Sequence, residues 1–167
     1  MHRDAFRRLI LLGLIGSFAP ANAGAAAPAS PPEPPHFASL SSNKVYMREG
    51  PTYAHRVLWM YRRKGLPVEV LASFDVWRRV VDPHGTIGWL HSSMVSDHRT
   101  VEVMSTAPAP IRRRADADSA VLALAQTGAI AKLEACDEAA CEVSAGGLDG
   151  WIDKKNIWGV RAGEIFH

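Results

Sequence analysis

The 167-residue sequence lacks the motifs that mark common enzyme classes. It contains no Gly-x-Ser-x-Gly nucleophile elbow, no His-Glu-x-x-His metal motif and no phosphate-binding loop. Its length fits one ordinary domain or two very small ones, which argues against a large α/β enzyme. We therefore expect no enzymatic activity, no catalytic residues and no cofactor.

The body of the chain also lacks net charge. Of 19 Lys and Arg and 17 Asp and Glu residues, three basic and one acidic residue lie in the first 23, which leaves 16 of each sign. The formal charge of +2 therefore belongs to the N-terminal segment. General affinity for nucleic acids comes from neutralising phosphates, so we expect no nucleic-acid partner.

Long hydrophobic runs are scarce. The ten residues Leu9–Phe18 form an apolar run that follows the basic segment Met1–Arg8 and precedes Ala21-Asn22-Ala23. A bilayer span needs about 20 residues, whereas this pattern is typical of a secretory signal peptide. We predict a signal over residues 1–23, cleaved near Ala23, and a periplasmic or secreted protein with no transmembrane span after cleavage. An uncleaved anchor is the alternative.

Only two cysteines are present, Cys136 and Cys141. Disulfides persist in exported proteins, and a hairpin would place these two sulfurs opposite each other, so we predict a disulfide. A metal or reactive thiol pair is the alternative, but the usual spacing of such sites is two residues rather than four. The histidines have no close-paired spacing, and we expect no metal site.

The chain repeats itself at an offset of 62 to 64 residues. Gly88-Trp89-Leu90 corresponds to Gly150-Trp151-Ile152, and Met47-Arg48 to Ile111-Arg112. Trp77–Val80 is matched with Cys141–Val143, one residue shorter. Each copy has short apolar runs broken by turn residues, which predicts four or five strands in a small, strongly bent barrel. Residues 120–125 have helical propensity, but their place in the repeat predicts a strand.

The repeat predicts the following organisation. Residues 24–40 are rich in Ala and Pro and form a linker without packed structure. A first domain spans 41–104, with a further possible strand at 101–104, and a second domain spans 111–163. Residues 105–110 form a stiff linker between them. Because a barrel of about 50 residues is marginally stable alone, the two domains are expected to share an interface.

The first copy resembles a bacterial SH3-like domain. The motifs that carry the resemblance are Val45–Pro51, Lys64–Val70, Trp77–Val80 and Gly85–Leu90. Both copies together resemble a tandem, exported subgroup from proteobacteria. The resemblance implies an all-β fold of two small SH3-like barrels after a signal peptide, association with the cell envelope, and peptide or peptidoglycan binding. In the second domain of that subgroup a Trp usually precedes the second Cys. Here that residue is Ala140, so the second domain is expected to be mainly structural.

Candidate ligand-binding residues lie in the first copy. Small barrels hold extended ligands on shallow aromatic grooves, and residues 44–106 are basic, with nine basic and six acidic side chains. The candidates are Arg48, Tyr53, Trp59, Trp77 and Arg78. Tyr53 and Trp59 are the best surface candidates, whereas Trp77 is equally compatible with the core. Trp89 and Trp151 are expected to pack in the core.

These features favour a non-catalytic envelope module that recognises a peptide, a peptidoglycan fragment or an envelope protein through the first domain. One alternative is a structural or assembly protein with only protein–protein contacts. A weaker alternative is a small metal or redox protein that uses the cysteines and histidines.

Overall fold

The computed structural model describes residues 33–167. The predicted signal peptide at 1–23 and residues 24–32 of the predicted linker lie outside the described residues. Within 33–167, no helix is long and apolar enough to cross a membrane. Regular structure in this part of the chain is almost entirely β, as the sequence predicted.

The first sheet has seven antiparallel strands in the order β3-β2-β6-β5-β4-β1-β7. Its strands are β1 (His36–Leu40), β2 (Val45–Arg48), β3 (Val57–Tyr61), β4 (Pro67–Phe74), β5 (Trp77–Val81), β6 (Ile87–His91) and β7 (Val95–Ser96). A single 3₁₀ turn at Ser92–Met94 joins β6 to β7. We call residues 36–96 the first domain.

The second sheet repeats this topology in the order β10-β9-β13-β12-β11-β8-β14. Its strands are β8 (Thr100–Val103), β9 (Ala109–Arg112), β10 (Val121–Ala125), β11 (Ile130–Cys136), β12 (Ala140–Ala145), β13 (Leu148–Asp153) and β14 (Ile157–Trp158). Each strand has a counterpart in the first domain, and residues 121–125 form a strand as predicted. We call residues 100–166 the second domain, because Phe166 bridges to Cys136.

The structure corrects the domain boundaries predicted from the sequence. Residues 36–40, assigned to the Ala/Pro-rich linker at 24–40, form β1 between β4 and β7. Residues 100–103, assigned to the first domain at 41–104, form β8 of the second sheet. The predicted linker at 105–110 overlaps β9, and the chain passes between domains at 97–99. Both strands are short, so their apolar alternation is weak in the sequence.

Each sheet closes around its own apolar core. In the first domain Leu40, Val45, Met47 and Leu90 are almost fully buried. The second core contains Cys136 and Cys141, which face each other across β11 and β12 and form a disulfide. The predicted disulfide is thereby confirmed.

The repeated Gly-Trp pair brings two strands into close contact. A Cβ atom on Gly88 would lie 2.9 Å from the Arg48 carbonyl oxygen, and one on Gly150 would lie 2.8 Å from that of Arg112. Only glycine permits this approach of β2 to β6 and of β9 to β13. The following Trp89 and Trp151 lie half-buried on the outer face, so the expectation that they pack in the core is wrong. Strand alternation turns Leu90 and Ile152 inward instead.

The two domains contact each other directly, as expected from their small size. The Thr100 hydroxyl donates to the Gly65 carbonyl at 2.7 Å, and Arg63 Nη1 donates to the Gly128 carbonyl at 2.6 Å. Phe37 and Trp158 pack edge to face with ring centroids 5.2 Å apart. These contacts place residues of β8 beside the loops of the first domain.

Candidate functional site

A cleft of about 180 Å³ opens on the outer face of the first domain. We call it the aromatic cleft. Residues 44, 46 and 48 reach it because alternate side chains of β2 share one face, while Val45 and Met47 turn into the core. The cleft is lined by Lys44, Tyr46, Arg48, Tyr53, Trp77, His91, Ser93 and Met94.

Trp77 forms the floor of the aromatic cleft. Its side chain is 5% exposed and is covered by two rings. The Tyr53 ring meets it edge-on at a centroid distance of 5.0 Å, and the His91 ring does so at 5.5 Å. Trp77 and His91 are directly paired across β5 and β6. Such edge-to-face packing fixes the rings and leaves Tyr53, 68% exposed, as a rigid wall open to solvent.

Arg48 positions the loop that carries Tyr53. Its Nη1 donates to the Tyr53 carbonyl at 3.0 Å and to the His55 carbonyl at 2.7 Å. The guanidinium carbon also lies 5.3 Å from the centre of the Tyr53 ring. Charged hydrogen bonds of this kind are stronger than neutral ones. Arg48 therefore holds residues 49–56 in place and presents Tyr53 to solvent.

The charge of the aromatic cleft is positive. Lys44 and Arg48 are the two cations among its eight lining residues, and none of the eight is acidic. Lys44 Nζ lies 5.5 Å from the centre of the Tyr46 ring, close to an exposed aromatic face. The cleft can thus hold an extended, partly apolar ligand and pair with an anionic group on it.

The structure separates the sequence-predicted site residues into two groups. Arg48, Tyr53 and Trp77 meet in the aromatic cleft, whereas Trp59 lines a different cleft beside the second domain. Arg78 Nη1 donates to the Asp75 and Trp77 carbonyls, so it stabilises the β4–β5 turn and does not line the aromatic cleft. Trp59 and Arg78 therefore do not share the aromatic cleft with Tyr53, and their ligand-binding roles stay predictions.

Sequence reasoning missed three lining residues with a clear role, Lys44, Tyr46 and His91. The first two could have been found from the alternation of β2, which places them on the side of Arg48. His91 is recognisable only from the strand register, because it lies 14 positions from Trp77 and directly opposite it.

The second domain keeps the scaffold of this cleft but loses its aromatic rings. Trp77 pairs with His91, and at the matching register Ala140 pairs with Asp153. Trp77–Val80 thus corresponds to Ala140–Val143 without the expected one-residue deletion. Arg112 Nε donates to the Ala117 carbonyl at 3.1 Å, which repeats the bond from Arg48 to Tyr53. Alanine therefore stands in place of both Trp77 and Tyr53.

The remaining ionisable side chains do not assemble a metal site. In residues 33–167, no three His, Cys, Asp or Glu side chains cluster closely enough to hold a metal ion. Both cysteines are joined to each other. The pKa of Tyr61 is raised because the side chain is buried and donates a hydrogen bond to Asp82 at 2.9 Å. This hydrogen bond stabilises the first domain.

Comparison with known proteins supports the tandem arrangement. The family model of the bacterial SH3 domain matches the chain twice, over residues 41–97 and 105–159. No curated protein sequence matches the chain.

The chain is also similar to parts of solved structures. Two are NlpC2 and NlpC1 from Trichomonas vaginalis, each 11% identical with a TM-score of 0.34; the matches cover 74% and 79% of this chain and 48% and 47% of those chains. A third is an NlpC/P60 family protein from Bacillus cereus, 11% identical with a TM-score of 0.33, covering 75% of this chain and 57% of that one. The chain thus spans about half the length of these proteins.

Proposed function

The chain belongs to the bacterial SH3 domain family, and on this premise we propose that it is an exported, non-catalytic binding module of the cell envelope. The aromatic cleft of the first domain holds a peptide or the peptide part of peptidoglycan. The second domain supports the first and does not bind through the equivalent surface.

The observation that carries this proposal is the difference between two otherwise matching domains. The loop-fixing arginine is present in both, as Arg48 and Arg112. The aromatic rings of Tyr53 and Trp77 have no counterpart in the second domain, where Ala117 and Ala140 occupy the matching positions. Exposed aromatic residues in a rigid groove are typical of ligand surfaces, so the first domain is the binding domain.

The lining residues favour a ligand with both apolar and anionic groups. Tyr46 and Tyr53 are 42% and 68% exposed and offer flat faces to an extended chain. Lys44 adds a solvent-exposed ammonium group with no acidic neighbour in the lining. A cell-wall peptide carries free carboxylates on a short extended backbone, which matches this combination.

One serine–histidine contact in the aromatic cleft has a structural role in this proposal. His91 Nδ1 lies 2.8 Å from Ser93 Oγ in the aromatic cleft. The same ring nitrogen accepts the backbone N–H of Ser93 at 3.3 Å, so His91 caps the turn at Ser92–Met94. Such bonding is the ordinary role of a helix cap. The side chains of His91 and Ser93 therefore stabilise the turn.

The direct test is co-sedimentation of the purified protein with peptidoglycan sacculi. We expect that the wild type pellets, that Tyr53→Ala does not, and that Phe74→Ala pellets like the wild type, because Phe74 is 59% exposed and lines neither the aromatic cleft nor the cleft beside the second domain. Both substitutions remove an exposed aromatic side chain from the same domain, so they are matched in surface chemistry. Loss of pelleting in Phe74→Ala alone would contradict the assignment to the aromatic cleft, and hydrolysis of the sacculi by pure protein would contradict the non-catalytic role.

The second candidate function is assembly with an envelope protein. It is favoured by β10, which forms one edge of the second sheet and exposes Val121 and Leu124 by 54% and 60%. Unpaired edge strands with apolar side chains readily add a strand from another chain. If this is the function, Leu124→Lys abolishes recovery of a crosslinked partner from cells, whereas Tyr53→Ala leaves it unchanged.

A further inference from the structure

A second and larger cleft, of about 550 Å³, lies between the two domains. We call it the interdomain cleft. The first domain contributes residues from β3, from the loop after it and from the turn at 82–86, and the second contributes Glu102 from β8. It differs in chemistry from the aromatic cleft, because carboxylates line it as well as cations.

Glu102 is the unusual group in this cleft. The residue is 5% exposed, and its Oε2 atom is buried without a hydrogen-bond partner among residues 33–167. Burial is the main cause of a raised pKa for Glu102, and the charges of His84 and Arg63 oppose this rise. A buried polar atom without a partner is costly and uncommon in folded proteins. A ligand that donates a hydrogen bond to Glu102 Oε2 would remove this energetic cost.

Both oxygens of Asp82, the other carboxylate of the cleft, already accept hydrogen bonds. Its Oδ1 accepts the N–H groups of His84 and Thr86 at 3.0 and 2.7 Å, and its Oδ2 accepts the Tyr61 hydroxyl at 2.9 Å. Asp82 therefore shapes the turn and adds negative charge near Glu102, whereas Glu102 Oε2 is the buried carboxylate oxygen of the cleft without a partner.

The rim of the interdomain cleft has the opposite charge. Arg62 and Arg63 are exposed and line the opening together with Trp59, which is 58% exposed. Arg63 uses Nη1 for the Gly128 carbonyl of the second domain, which fixes its guanidinium at the domain boundary. The cleft thus combines a buried carboxylate, a flat apolar wall and an outer pair of guanidinium groups.

We propose that the interdomain cleft is a second binding site, for an amino acid or peptide side chain that carries an ammonium group at one end and a carboxylate at the other. The ammonium group donates to Glu102 Oε2. The methylene chain lies along Trp59, and the carboxylate pairs with Arg62 and Arg63 at the rim. Because this site uses neither Tyr53 nor Trp77, it does not depend on the function proposed for the aromatic cleft.

Both domains are needed for this site. Glu102 comes from a strand of the second sheet, and the wall and the arginines come from the first domain. The bond from Thr100 to Gly65 holds β8 against the first domain two residues before Glu102. Occupation of the site would therefore also fasten the two domains together.

The test uses a matched set of three small probes with the purified, ¹⁵N-labelled protein. The probe 6-aminohexanoic acid carries both charged groups, hexanoic acid lacks the ammonium group, and hexylamine lacks the carboxylate. We expect 6-aminohexanoic acid to give a saturable shift of the Trp59 indole N–H signal. Hexanoic acid gives none, and hexylamine binds more weakly. Equal binding of hexanoic acid would overturn the role of Glu102, and equal binding of hexylamine would overturn that of the arginines.

Two variants locate the site. Glu102→Gln preserves shape and removes the charge, and it should weaken 6-aminohexanoic acid binding by about tenfold or more, the effect of losing one charge-assisted hydrogen bond. Tyr53→Ala should leave this binding unchanged. Because Glu102 is buried, the fold of the variant is checked by its amide spectrum, and Trp59→Ala, at an exposed position, provides a second test read from backbone amide shifts. Unchanged affinity in either Glu102→Gln or Trp59→Ala, or the absence of a saturable shift in the wild type, would overturn the proposal.

Discussion

The phenol ring of Tyr53 stands edge-on against the indole ring of Trp77, with centroids 5.0 Å apart and an interplanar angle of 70°. One ring is almost completely buried and the other is mostly exposed. Trp77 therefore contributes to stability, and Tyr53 contributes mainly to the surface. Substitution of Tyr53 is therefore expected to change binding with little effect on stability, whereas substitution of Trp77 is expected to change stability.

Replacing Arg48 with lysine is expected to weaken binding through the loop it holds. A lysine cannot reproduce both bonds to the Tyr53 and His55 carbonyls with the geometry of a guanidinium group. We expect a loss of about 1–2 kcal/mol in stability, faster amide exchange in residues 49–56 and weaker binding to sacculi. Hydrogen exchange and co-sedimentation measure these effects.

Arg56→Lys is the control for that loop. Arg56 is largely exposed and its side chain forms an ion pair with Glu49 at 3.4 Å, so the change is expected to have little effect. If Arg48→Lys behaves like Arg56→Lys, Arg48 does not position Tyr53.

Leu40→Ala tests whether β1 belongs to the first domain. Leu40 is 1% exposed and pairs with Val95 of β7, although the sequence placed it in a linker. Removing this side chain from the core should cost about 3 kcal/mol of unfolding free energy, measured by urea denaturation. Phe74→Ala, at a side chain that is 59% exposed, should cost much less. Equal effects would mean that β1 does not complete the core.

Removing the disulfide should destabilise the second domain without affecting binding. Cys136 and Cys141 close a small ring, whose contribution to the free energy of unfolding is about 2 kcal/mol. A Cys136→Ala/Cys141→Ala variant should therefore unfold at lower urea concentration while it still pellets with sacculi. If pelleting is lost although the first domain remains folded, the second domain takes part in binding.

Stability should depend on pH through Glu164. The Arg99 guanidinium donates to its carboxylate and is the main reason why the pKa of Glu164 lies below the ordinary value of 4.5. The folded protein thus keeps this carboxylate ionised where the unfolded chain binds a proton. The stabilisation is present above the unfolded pKa and is lost as the pH falls through the lower folded value.

Glu164→Gln should consequently lower stability at pH 7 by about 2 kcal/mol. Thermal melts from pH 7 to pH 3 should show the difference from the wild type shrinking at the acid end. Glu138→Gln, at an exposed side chain, is the control and should track the wild type. A difference between Glu164→Gln and the wild type that stays constant with pH would contradict the ionic role of Glu164.

The repeat and its strands were predictable because their signals are local. Gly88-Trp89 and Gly150-Trp151 mark the close approach of two strands, and Cys136 and Cys141 pair beside the turn of one hairpin. Residues 121–125 have helical propensity, but their place in the repeat correctly predicted a strand.

The site was only partly predictable because it depends on register between distant segments. Trp77 meets His91 only when β5 and β6 pair in the observed register. Trp59 looked equivalent to Tyr53 in the sequence, yet β3 carries it to the other cleft. The domain boundaries failed for a related reason, because β1 and β8 are recognised by their partners rather than by their own four or five residues.

Ligand binding in the aromatic cleft can be tested directly by titrating the ¹⁵N-labelled protein with soluble peptidoglycan fragments and following its amide and indole signals. We expect saturable shifts at Tyr46, Tyr53 and His91 and at the Trp77 indole N–H. We expect no shifts at Ala117 and Ala140, the counterparts of Tyr53 and Trp77 in the second domain. Shifts confined to the second domain, or no shifts at all, would contradict the assignment of binding to the aromatic cleft.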